Sequence, residues 1–436
     1  MKEVGLVLLG IGMAIAVNFD WRGGERDPLL SRMGVLSEVL GHVNDKYVDE
    51  VKPELLFEGM VRGMVQALDP YCDYLAPEHA KQYLEFLHGN FGGLGIVVEL
   101  QDGYVTVISP LEGTPAFEAG LMPGDRIVAA DGVPLVGMNL DQAVHCMRGK
   151  PGTTIRLEVL RPGEANPTPI SITRGVIKRK SVYDATILDP VNDIGYVRIT
   201  RFHDGTAEEF ATAVKELMEK RGMKSLVLDL RNNPGGLLNG ALRVADEFLE
   251  SGAIMIEQRR GRPLNIERAS PGGLLVKMPV TVLVNGATAS AAEVLAGALQ
   301  DARVAALVGE RTYGKGCVQT VLNLTAEPAI LKLTTSLYYT PDGHAVQKGV
   351  KCLHKGWCFH RRSGAEVARG GLRPNEEVRI SQMETLLLRS VRHRFLREGV
   401  DPLLLLQTDR QLRAAVNLLR NRALFKHALS RTVQNF

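Results

Sequence analysis

The chain has 436 residues, of which 45% are hydrophobic and 23% are charged, a composition typical of proteins with ordinary apolar cores. At about 100–200 residues per domain, this length predicts two to four domains. The 52 basic and 49 acidic side chains leave a formal net charge of +3, which argues against nucleic acid as a partner. Five cysteines are far too few for a scaffold held together by disulfides.

An apolar run from Val4 to Val17 begins near the N-terminus. At about 14 residues it is short for a membrane span and suits the core of a signal peptide. Ala14-Ile15-Ala16 offers a cleavage site of small residues. We therefore expect residues 1–26 to be a signal peptide or membrane anchor with a linker, and the protein to be exported, either periplasmic or otherwise extracytoplasmic. A buried helix of the mature fold is the alternative.

Residues 27–88 have the apolar spacing of amphipathic helices. Two series recur every three or four residues, namely Leu29, Leu30, Met33, Leu36, Val39 and Leu40, then Leu55, Leu56, Met60, Met64, Ala67 and Leu68. Asp69-Pro70 ends the second series. No chemistry is indicated here, and the pattern predicts a helical arm for packing or dimerisation. With a second helical region at 381–436, it makes a homo-oligomer the expectation.

From Phe91 the chain changes to short strands separated by glycine turns. The order includes Gly92-Gly93-Leu94-Gly95-Ile96, then Pro123-Gly124-Asp125-Arg126-Ile127, then Arg148-Gly149-Lys150-Pro151-Gly152. This order resembles a PDZ domain, which we assign to residues 89–175. Gly93-Leu94-Gly95-Ile96 would then direct backbone N–H groups at the carboxylate of a peptide tail, and the strand from Val97 would pair with that tail.

Beyond Ile194 strands and helices alternate. The strands are Ile194–Ile199, Ser225–Leu230 and Val280–Val284, and the helices are Thr206–Lys220, Leu237–Leu249 and Ala291–Leu299. This alternation predicts an α/β core of layered helices and sheet, which we assign to residues 176–380.

Ser290 stands between a buried strand and a helix rich in small residues. A helix N-terminus supplies unpaired N–H groups and positive potential, and small neighbours allow a substrate backbone to approach. This position suits a nucleophile. Taken alone, Ser290 followed by Glu293 favours a capping box, and the other motifs reverse that interpretation.

Lys315 lies between Gly314 and Gly316 and is the candidate general base for Ser290. Such a lysine must be neutral near pH 7, so its pKa must fall by roughly 2.5–3 units, about 3.5–4 kcal/mol, through desolvation or positive potential. Gln319, four residues later, would share a face of an extended stretch and orient the amine. A solvated loop lysine is the alternative.

Two parts of the chain offer backbone N–H donors for an oxyanion at this serine. The N–H of Ala291, directly after the nucleophile, is the first candidate. The second is the N–H of Gly235 or Gly236, in the turn that follows Asn232-Asn233-Pro234. An ordinary glycine turn is the alternative for these two residues.

Together these motifs resemble the carboxy-terminal processing proteases, also called tail-specific peptidases. Three motifs agree with the family pattern in order and spacing: Leu230–Gly236, Val284–Glu293 and Gly314–Gln319. Tyr338–Gly343 also fits, and Leu68-Asp69-Pro70-Tyr71-Cys72-Asp73-Tyr74-Leu75 resembles the pattern Leu-Asp-Pro-His-Ser-x-Tyr-Leu. The resemblance covers roughly residues 30–350.

The resemblance implies a multidomain α/β fold in which a PDZ β-barrel precedes a β-spiral, crotonase/Clp-protease-like core. It implies a serine endopeptidase with no cofactor, in which Ser290 is the nucleophile, Lys315 the base and Gln319 its orienter. Substrates would be unfolded proteins with apolar C-terminal tails. Arg148 occupies the position of an arginine linked to gating by the PDZ domain, which implies a regulatory role; a surface turn residue is the alternative.

Further partners follow from the same resemblance and from the N-terminal run. They are an adaptor protein and, through the N-terminus, a membrane. Two other functions compete: a PDZ adaptor with an inert core, and a thioester hydrolase. The presence of all three catalytic residue types disfavours the first, and the peptide-tail receptor disfavours the second.

The chain departs from the family pattern at several positions. Thr288 and Ala292 replace serines beside the nucleophile, and neither is needed for the chemistry. Cys317 stands where serine is common, either as a thiol activated by Lys315 or as a small buried residue. Relative to the family pattern, residues 350–371 are an insertion, and it carries four metal-type side chains, Cys352, His354, Cys358 and His360. A Cys352–Cys358 disulfide, free thiols and a zinc site are the three alternatives.

Overall fold

A computed structural model describes residues 28–111, 114–178, 180–349, 369–381 and 406–434, together with Glu384 and Leu388. The chain divides into two compact units, residues 1–64 and 65–436. The predicted signal peptide or anchor and the four Cys/His residues of the insertion lie outside the described residues. Within the described ranges, no helix combines the length and the hydrophobicity needed to cross a membrane.

The first unit contains two helices, where the apolar spacing predicts them. Helix α1 is Pro28–Lys46 and helix α2, which runs past the unit boundary, is Pro53–Gln66. Several of their large apolar side chains are exposed, among them Val39, Leu55 and Met64. The predicted role in dimerisation stays a prediction.

Three short elements begin the second unit: β1 (Asp73–Leu75), α3 (Pro77–His88) and β2 (Asn90–Gly93). Gly89 ends α3 in the left-handed conformation, with φ of 68°. This residue turns the chain out of the helix and into β2.

A six-stranded antiparallel sheet follows, in the region of the predicted PDZ domain. Its strands are β3 (Ile96–Gln101), β4 (Tyr104–Pro110), β5 (Arg126–Ala130), β6 (Val133–Pro134), β7 (Thr154–Leu160) and β8 (Thr168–Thr173), with helices α4 (Pro115–Glu118) and α5 (Leu140–Met147). The order is β3-β4-β5-β7-β8, with β6 paired to β5. Val105, Ile127 and Leu157 are fully buried in its core.

A two-stranded ribbon connects this sheet to the rest of the unit. Strand β9 (Gly175–Lys178) pairs antiparallel with β2, so the chain enters and leaves the predicted PDZ region side by side. The register places Gly93 opposite Gly175 and Asn90 opposite Lys178.

A second six-stranded sheet is the one the alternating pattern predicts. Its strands are β10 (Val182–Asp189), β11 (Ile194–Ile199), β12 (Ser225–Asp229), β15 (Val280–Val284), β16 (Ala305–Gly309) and β19 (Glu376–Glu377), in that order. All pairs after β10–β11 are parallel. Strands β12, β15 and β16 are buried throughout, as parallel strands covered on both faces must be. The predicted α/β layering is therefore confirmed.

Helices cover both faces of this sheet. Helices α6 (Thr206–Arg221), α7 (Leu238–Asp246) and α8 (Ala291–Asp301) form the core on one face. Helices α9 (Arg410–Arg420) and α10 (Arg422–Gln434) cover the other face. Alternate residues of one strand serve the two cores, because Leu226 faces the first and Val227 the second.

A smaller sheet stands beside the parallel one. It contains β13 (Ala253–Arg259), β14 (Asn265–Arg268), β17 (Cys317–Asn323) and β18 (Ile330–Tyr339), with β1 on the edge of β18. Strand β18 therefore pairs with β1, which lies before the predicted PDZ region, and with β17, which begins within the lysine motif.

A buried ionic network joins α9 to the parallel sheet. The guanidinium of Arg231 pairs with Asp229 at 2.7 Å and with Asp409 at 2.8 Å, and it donates to Gln411 at 3.0 Å. Asp409 also caps α9, because it accepts the N–H of Leu412. All these charged and amide groups are buried, so each depends on the others for its partners.

Candidate active site

Three loops leave the same edge of the parallel sheet. They follow β12, β15 and β16, and they carry the Asn-Pro-Gly-Gly turn, Ser290 and Lys315 respectively. The carboxyl ends of parallel strands are the usual place for a site in such sheets. The fold therefore collects the three predicted motifs along one rim.

Ser290 has an unusual backbone conformation, with φ of 56° and ψ of −122°. Residues with a side chain rarely adopt it, and the strain costs about 1–3 kcal/mol. Two hydrogen bonds compensate: the N–H of Ser290 donates to Glu293 at 2.9 Å, and the N–H of Ala289 donates to the carbonyl of Asn233 at 2.9 Å. The serine is thus held at the N-terminus of α8.

Glu293 joins the serine loop to the lysine loop. Its Oε1 accepts from the hydroxyl of Thr312 at 2.5 Å and from the N–H of Gly314 at 2.7 Å. Its Oε2 accepts from the N–H groups of Ser290 and Lys315, both at 2.9 Å. The carboxyl is fully buried; burial raises its pKa to about 7, while the four donors favour the charged form.

The sequence indicates Glu293 only as the partner in a capping box. Its larger role was missed because Thr312 and Gly314 come from a different loop, and no local spacing connects them to α8. The signal available was indirect: a glutamate at the third position of a helix whose other first-turn residues are all alanine.

Tyr338 forms a second link between the two loops. Its hydroxyl lies 2.9 Å from the carbonyl oxygen of Ser290 and 2.5 Å from that of Lys315. The side chain comes from β18 and is buried, and burial raises its pKa well above the ordinary value. The hydroxyl therefore stays protonated and can donate to these carbonyls.

The side chain of Lys315 is partly buried and rests against an aromatic ring. Its Nζ lies 4.9 Å from the centre of the Tyr71 ring. Burial lowers its pKa, which is the direction that a general base requires. Among the described residues, no hydrogen bond joins this amine to Ser290 or to Gln319.

The predicted contact of Gln319 with Lys315 is absent from this structure. The Gln319 amide nitrogen donates to the Sγ of Cys317 at 3.1 Å and to the hydroxyl of Thr334 at 3.2 Å. The reason is that β17 begins only at Cys317, so Lys315 and Gln319 do not share one strand. Burial raises the pKa of the Cys317 thiol, which fits the small buried residue rather than the activated thiol.

Gly235 and Ala291 lie directly beside the serine. A Cβ on Gly235 would fall 2.8 Å from the Cβ of Ser290 and 3.0 Å from the nitrogen of Ala291. The φ of Gly235 is +96°, so both space and conformation require glycine. Its own N–H already donates to Asn233 at 2.9 Å. No described residue accepts the N–H of Ala291.

Gly236 packs on a different neighbour. A Cβ there would lie 2.0 Å from the carbonyl oxygen of Phe202. Phe202 holds the turn from both sides, because its N–H donates to Gly235 and its carbonyl accepts from Leu237. Gly236 therefore shapes the turn, and no described residue accepts its N–H.

The predicted tail-binding segment lies at a free sheet edge. Gly93 ends β2 and Ile96 begins β3, and Leu94 between them is buried. Gly95 has a φ of +79°, and its Cβ position would meet the side chain of Thr114. Among the described strands, β3 pairs with β4 alone. One edge of β3 is therefore available for an added strand.

The ribbon that carries this edge is anchored to the core at both ends. At the entry, a Cβ on Gly89 would lie 2.6 Å from the ring of His203. At the exit, Glu209 accepts both the N–H and the hydroxyl of Ser181. His203 follows Phe202, the residue that holds the glycine turn beside the serine.

Arg148 lies beside the tail-binding segment and not in the rim of loops. It is the exposed C-cap of α5. Its neighbour Gly149 packs closely on Gly92, whose Cβ position would be 2.2 Å from the Gly149 carbonyl oxygen. The guanidinium of Arg174 donates to the carbonyl of Met147 at 2.9 Å and so supports the same turn.

No metal centre is formed by the residues that the structure describes, since nowhere do three or more of their His, Cys, Asp or Glu side chains come together suitably. Cys72, Cys146 and Cys317 are free thiols. The three alternatives for Cys352, His354, Cys358 and His360 remain open, because these four residues lie outside the described part of the chain.

Comparison with known proteins gives two family models. The model described as peptidase family S41 matches residues 193–352, and that of the PDZ domain matches residues 92–172. The predicted PDZ domain ahead of a protease core is thus confirmed.

Individual relatives agree with these models. A carboxy-terminal-processing protease of Bartonella bacilliformis is 41% identical over 324 residues, covering 73% of this chain and 72% of the relative. The carboxy-terminal processing protease CtpA of Bacillus subtilis is 37% identical over 325 residues, covering 74% and 68%. Among solved structures, the photosystem II D1 C-terminal processing protease matches at 27% identity and a TM-score of 0.43, covering 78% of this chain and 86% of that one.

Proposed function

Since this chain belongs to the carboxy-terminal processing proteases of peptidase family S41, it is a serine protease, and we propose that Ser290, Lys315 and Gln319 are its catalytic residues. The observation that carries this proposal is the shared carboxylate of Glu293, which binds the N–H groups of both Ser290 and Lys315. One buried group thereby fixes the backbones of nucleophile and base relative to each other.

The reaction proceeds through an acyl-enzyme. Ser290 Oγ attacks the scissile carbonyl while neutral Lys315 takes its proton, and the amine product leaves with that proton. Water, deprotonated by Lys315, then hydrolyses the ester and restores the serine. The N–H of Ala291 donates to the oxyanion, and the second donor is the N–H of Gly236, because that of Gly235 is bonded to Asn233. No cofactor takes part.

Two side chains must rearrange before this reaction. The amine of Lys315 lies over the ring of Tyr71, and the amide of Gln319 faces Thr334. In the reactive state the lysine amine turns from the ring to the serine hydroxyl, and Gln319 turns to orient it. The backbone frame made by Glu293 and Tyr338 needs no change for these rotations.

The substrates are proteins with apolar C-terminal tails that the PDZ domain captures. The tail pairs with the free edge of β3, and its carboxylate accepts backbone N–H groups of the Gly93–Ile96 segment. The exposed side chains of Val97 and Leu100, 46% and 45% accessible, provide apolar contact area along that strand.

Tail binding also gates the protease. The supporting observation is the contiguous contact from the ribbon at Gly89, through His203 and Phe202, to the turn at Gly235. A shift of the ribbon when a tail binds would thus reach the oxyanion donors. Arg148 and Gly149 contribute by linking α5 to the start of the tail-binding segment.

The test uses two peptides that share an internal cleavage site and an apolar tail, one with a free C-terminal carboxylate and one amidated. The parent protein should cleave the free form with the higher kcat/KM. Ser290→Ala and Lys315→Ala should each lose at least about a thousandfold in kcat. Parental rates in both variants would refute the triad, and equal rates on both peptides would refute tail capture.

Export and self-association complete the proposal. The apolar run Val4–Val17 supports export to the periplasm or another extracytoplasmic place, with an anchor on the membrane if the run is retained. The exposed apolar side chains of α1 and α2 support a homo-oligomer, and an adaptor protein is a further partner. Cell fractionation tests export, and light scattering of the purified protein tests self-association. A cytoplasmic location would refute the first, and a monomer would refute the second.

A further inference from the structure

Tyr71 is the aromatic residue on which the proposed catalytic base rests. It lies in the turn before β1, and Asp69 holds this turn by accepting the N–H groups of Tyr71 at 2.7 Å and Cys72 at 2.9 Å. The Nζ of Lys315 lies 4.9 Å from the ring centre, within the distance at which an ammonium is attracted to an aromatic face.

The ring is also fixed relative to the lysine loop. The Tyr71 hydroxyl faces the side chains of Gln347 and Tyr313. Gln347 in turn accepts the N–H of Gly316 at 2.9 Å. Burial raises the pKa of Tyr71, so the phenol is neutral. The lysine thus rests on a ring that its own loop helps to position.

This contact distinguishes the two charge states of Lys315. An aromatic face attracts an ammonium through its quadrupole, and a neutral amine lacks that attraction. Burial has the largest influence on the same amine and favours its neutral form, as does the charge of Lys332. Negative charge on Cys317, Asp69 or Glu293 favours the ammonium. The ring therefore opposes the deprotonation that catalysis requires.

We propose that Tyr71 is a positioning residue that holds Lys315 in its protonated resting place and so sets the pH above which the protease becomes active. The inference rests on the proposed function of Lys315 as the general base. In the family pattern this position is histidine, so the phenol ring is particular to this chain.

The test is the pH dependence of kcat/KM, whose acid limb reports the ionisation of the free enzyme. Tyr71→Leu removes the aromatic face, and the acid limb should move to lower pH by about half to one unit. Tyr71→Phe keeps the face without the hydroxyl and should retain the parental limb. Tyr71→Trp strengthens the face and should move the limb to higher pH.

The matched control is Tyr83→Leu, because the ring of Tyr83 faces Lys332 at 5.6 Å in a similar contact with a lysine that is not the proposed base. It should leave the limb at the parental pH. An unchanged limb in Tyr71→Leu, or an equal shift in Tyr83→Leu, would overturn the inference. If Tyr71→Leu fails to fold, Tyr71→Trp is compared with Tyr71→Phe. The inference is then overturned if the acid limb of Tyr71→Trp does not lie at a higher pH than that of Tyr71→Phe.

The failure of the proposed function gives a different result. If Lys315 is not the base, Lys315→Ala retains activity and its acid limb matches that of the parent. If Lys315 is the base but Tyr71 does not hold it, Lys315→Ala is inactive while every Tyr71 variant keeps the parental limb.

Discussion

The catalytic rim and the tail-binding edge of the PDZ domain are built in opposite ways. At the rim, the buried groups of Glu293 and Tyr338 bond the backbones of two loops, and Gly235 packs on the serine itself. At the edge, β3 is paired on one side only and presents exposed Val97 and Leu100. The backbone at the rim has little freedom to change conformation, whereas the edge of β3 can accept many different peptide strands.

This difference shows where each property of the protease is set. We expect the rim to fix the chemistry through backbone geometry, with the side chains of Lys315 and Gln319 turning to the serine. We expect the edge to select substrates, and the β2–β9 ribbon connects it to the rest of the unit. Changes in the rim should therefore reduce activity on every substrate, and changes in the edge should affect only substrates with a suitable tail.

Glu293→Ala should have the largest effect, because it leaves four donors without their acceptor. We expect a loss of at least about 3 kcal/mol in the free energy of unfolding and about a hundredfold or more in kcat on both peptides. Denaturant unfolding and steady-state kinetics measure these. Glu208→Ala, at an exposed glutamate paired with Arg243, is the control. Parental activity of Glu293→Ala would show that the carboxylate is not what fixes the rim.

Gly235→Ala should reduce kcat by about a hundredfold, since the new methyl group would meet the Cβ of Ser290 and the nitrogen of Ala291. Gly222→Ala is a matched control, because Gly222 also has a positive φ, of 70°, but no atom within 4 Å of its Cβ position. Both substitutions share the cost of the backbone conformation. Equal kcat values in the two variants would mean that the close approach at Gly235 is unimportant.

The ionisation of Glu293 should make the stability of the protein depend on pH. Burial raises its pKa from 4.5 to about 7, so the folded state holds a proton that the unfolded state releases. Its contribution is full below pH 4.5 and declines by about 3 kcal/mol as the pH rises to 7. Unfolding free energies over this range should show the decline in the parent and not in Glu293→Gln. Identical slopes would contradict the raised pKa.

Val97→Glu should have the smallest and most selective effect. A negative charge beside the bound tail would raise KM for the peptide with a free carboxylate by about tenfold. The amidated peptide should be cleaved as by the parent. Val133→Glu places the same charge at an exposed valine of β6, away from the open edge, and should change neither. Equal losses on both peptides would mean that β3 is not the tail-binding edge.

Much of this arrangement was predictable because it is local in sequence. The strand before Ser290 and the helix after it follow from a buried apolar run and a run of small residues. The alternation of strands and helices predicts the parallel sheet, and the sheet brings Ser290, Lys315 and the glycine turn to one rim. The free edge of β3 follows from the order of elements in the PDZ domain.

The remainder depends on contacts between segments that are distant in sequence. Glu293 bonds to a loop about twenty residues away, and Tyr71 reaches Lys315 only because β1 joins β18. Gln319 faces Thr334 because of the pairing of β17 with β18, which spacing along one strand could not indicate. Tertiary packing decides which partners these side chains contact, so the periodicity of the sequence cannot predict them.

The pairing of Arg231 with Asp409 has a consequence for the order of events during synthesis. Arg231 belongs to the turn for which we propose an oxyanion donor, and Asp409 lies 178 residues downstream. A nascent chain that has already produced Ser290 and Lys315 still lacks the carboxylate that completes the partners of this buried arginine. We therefore expect the turn to reach its final form only after residue 409 has been made, so that a partly synthesised protease cannot yet cut its neighbours.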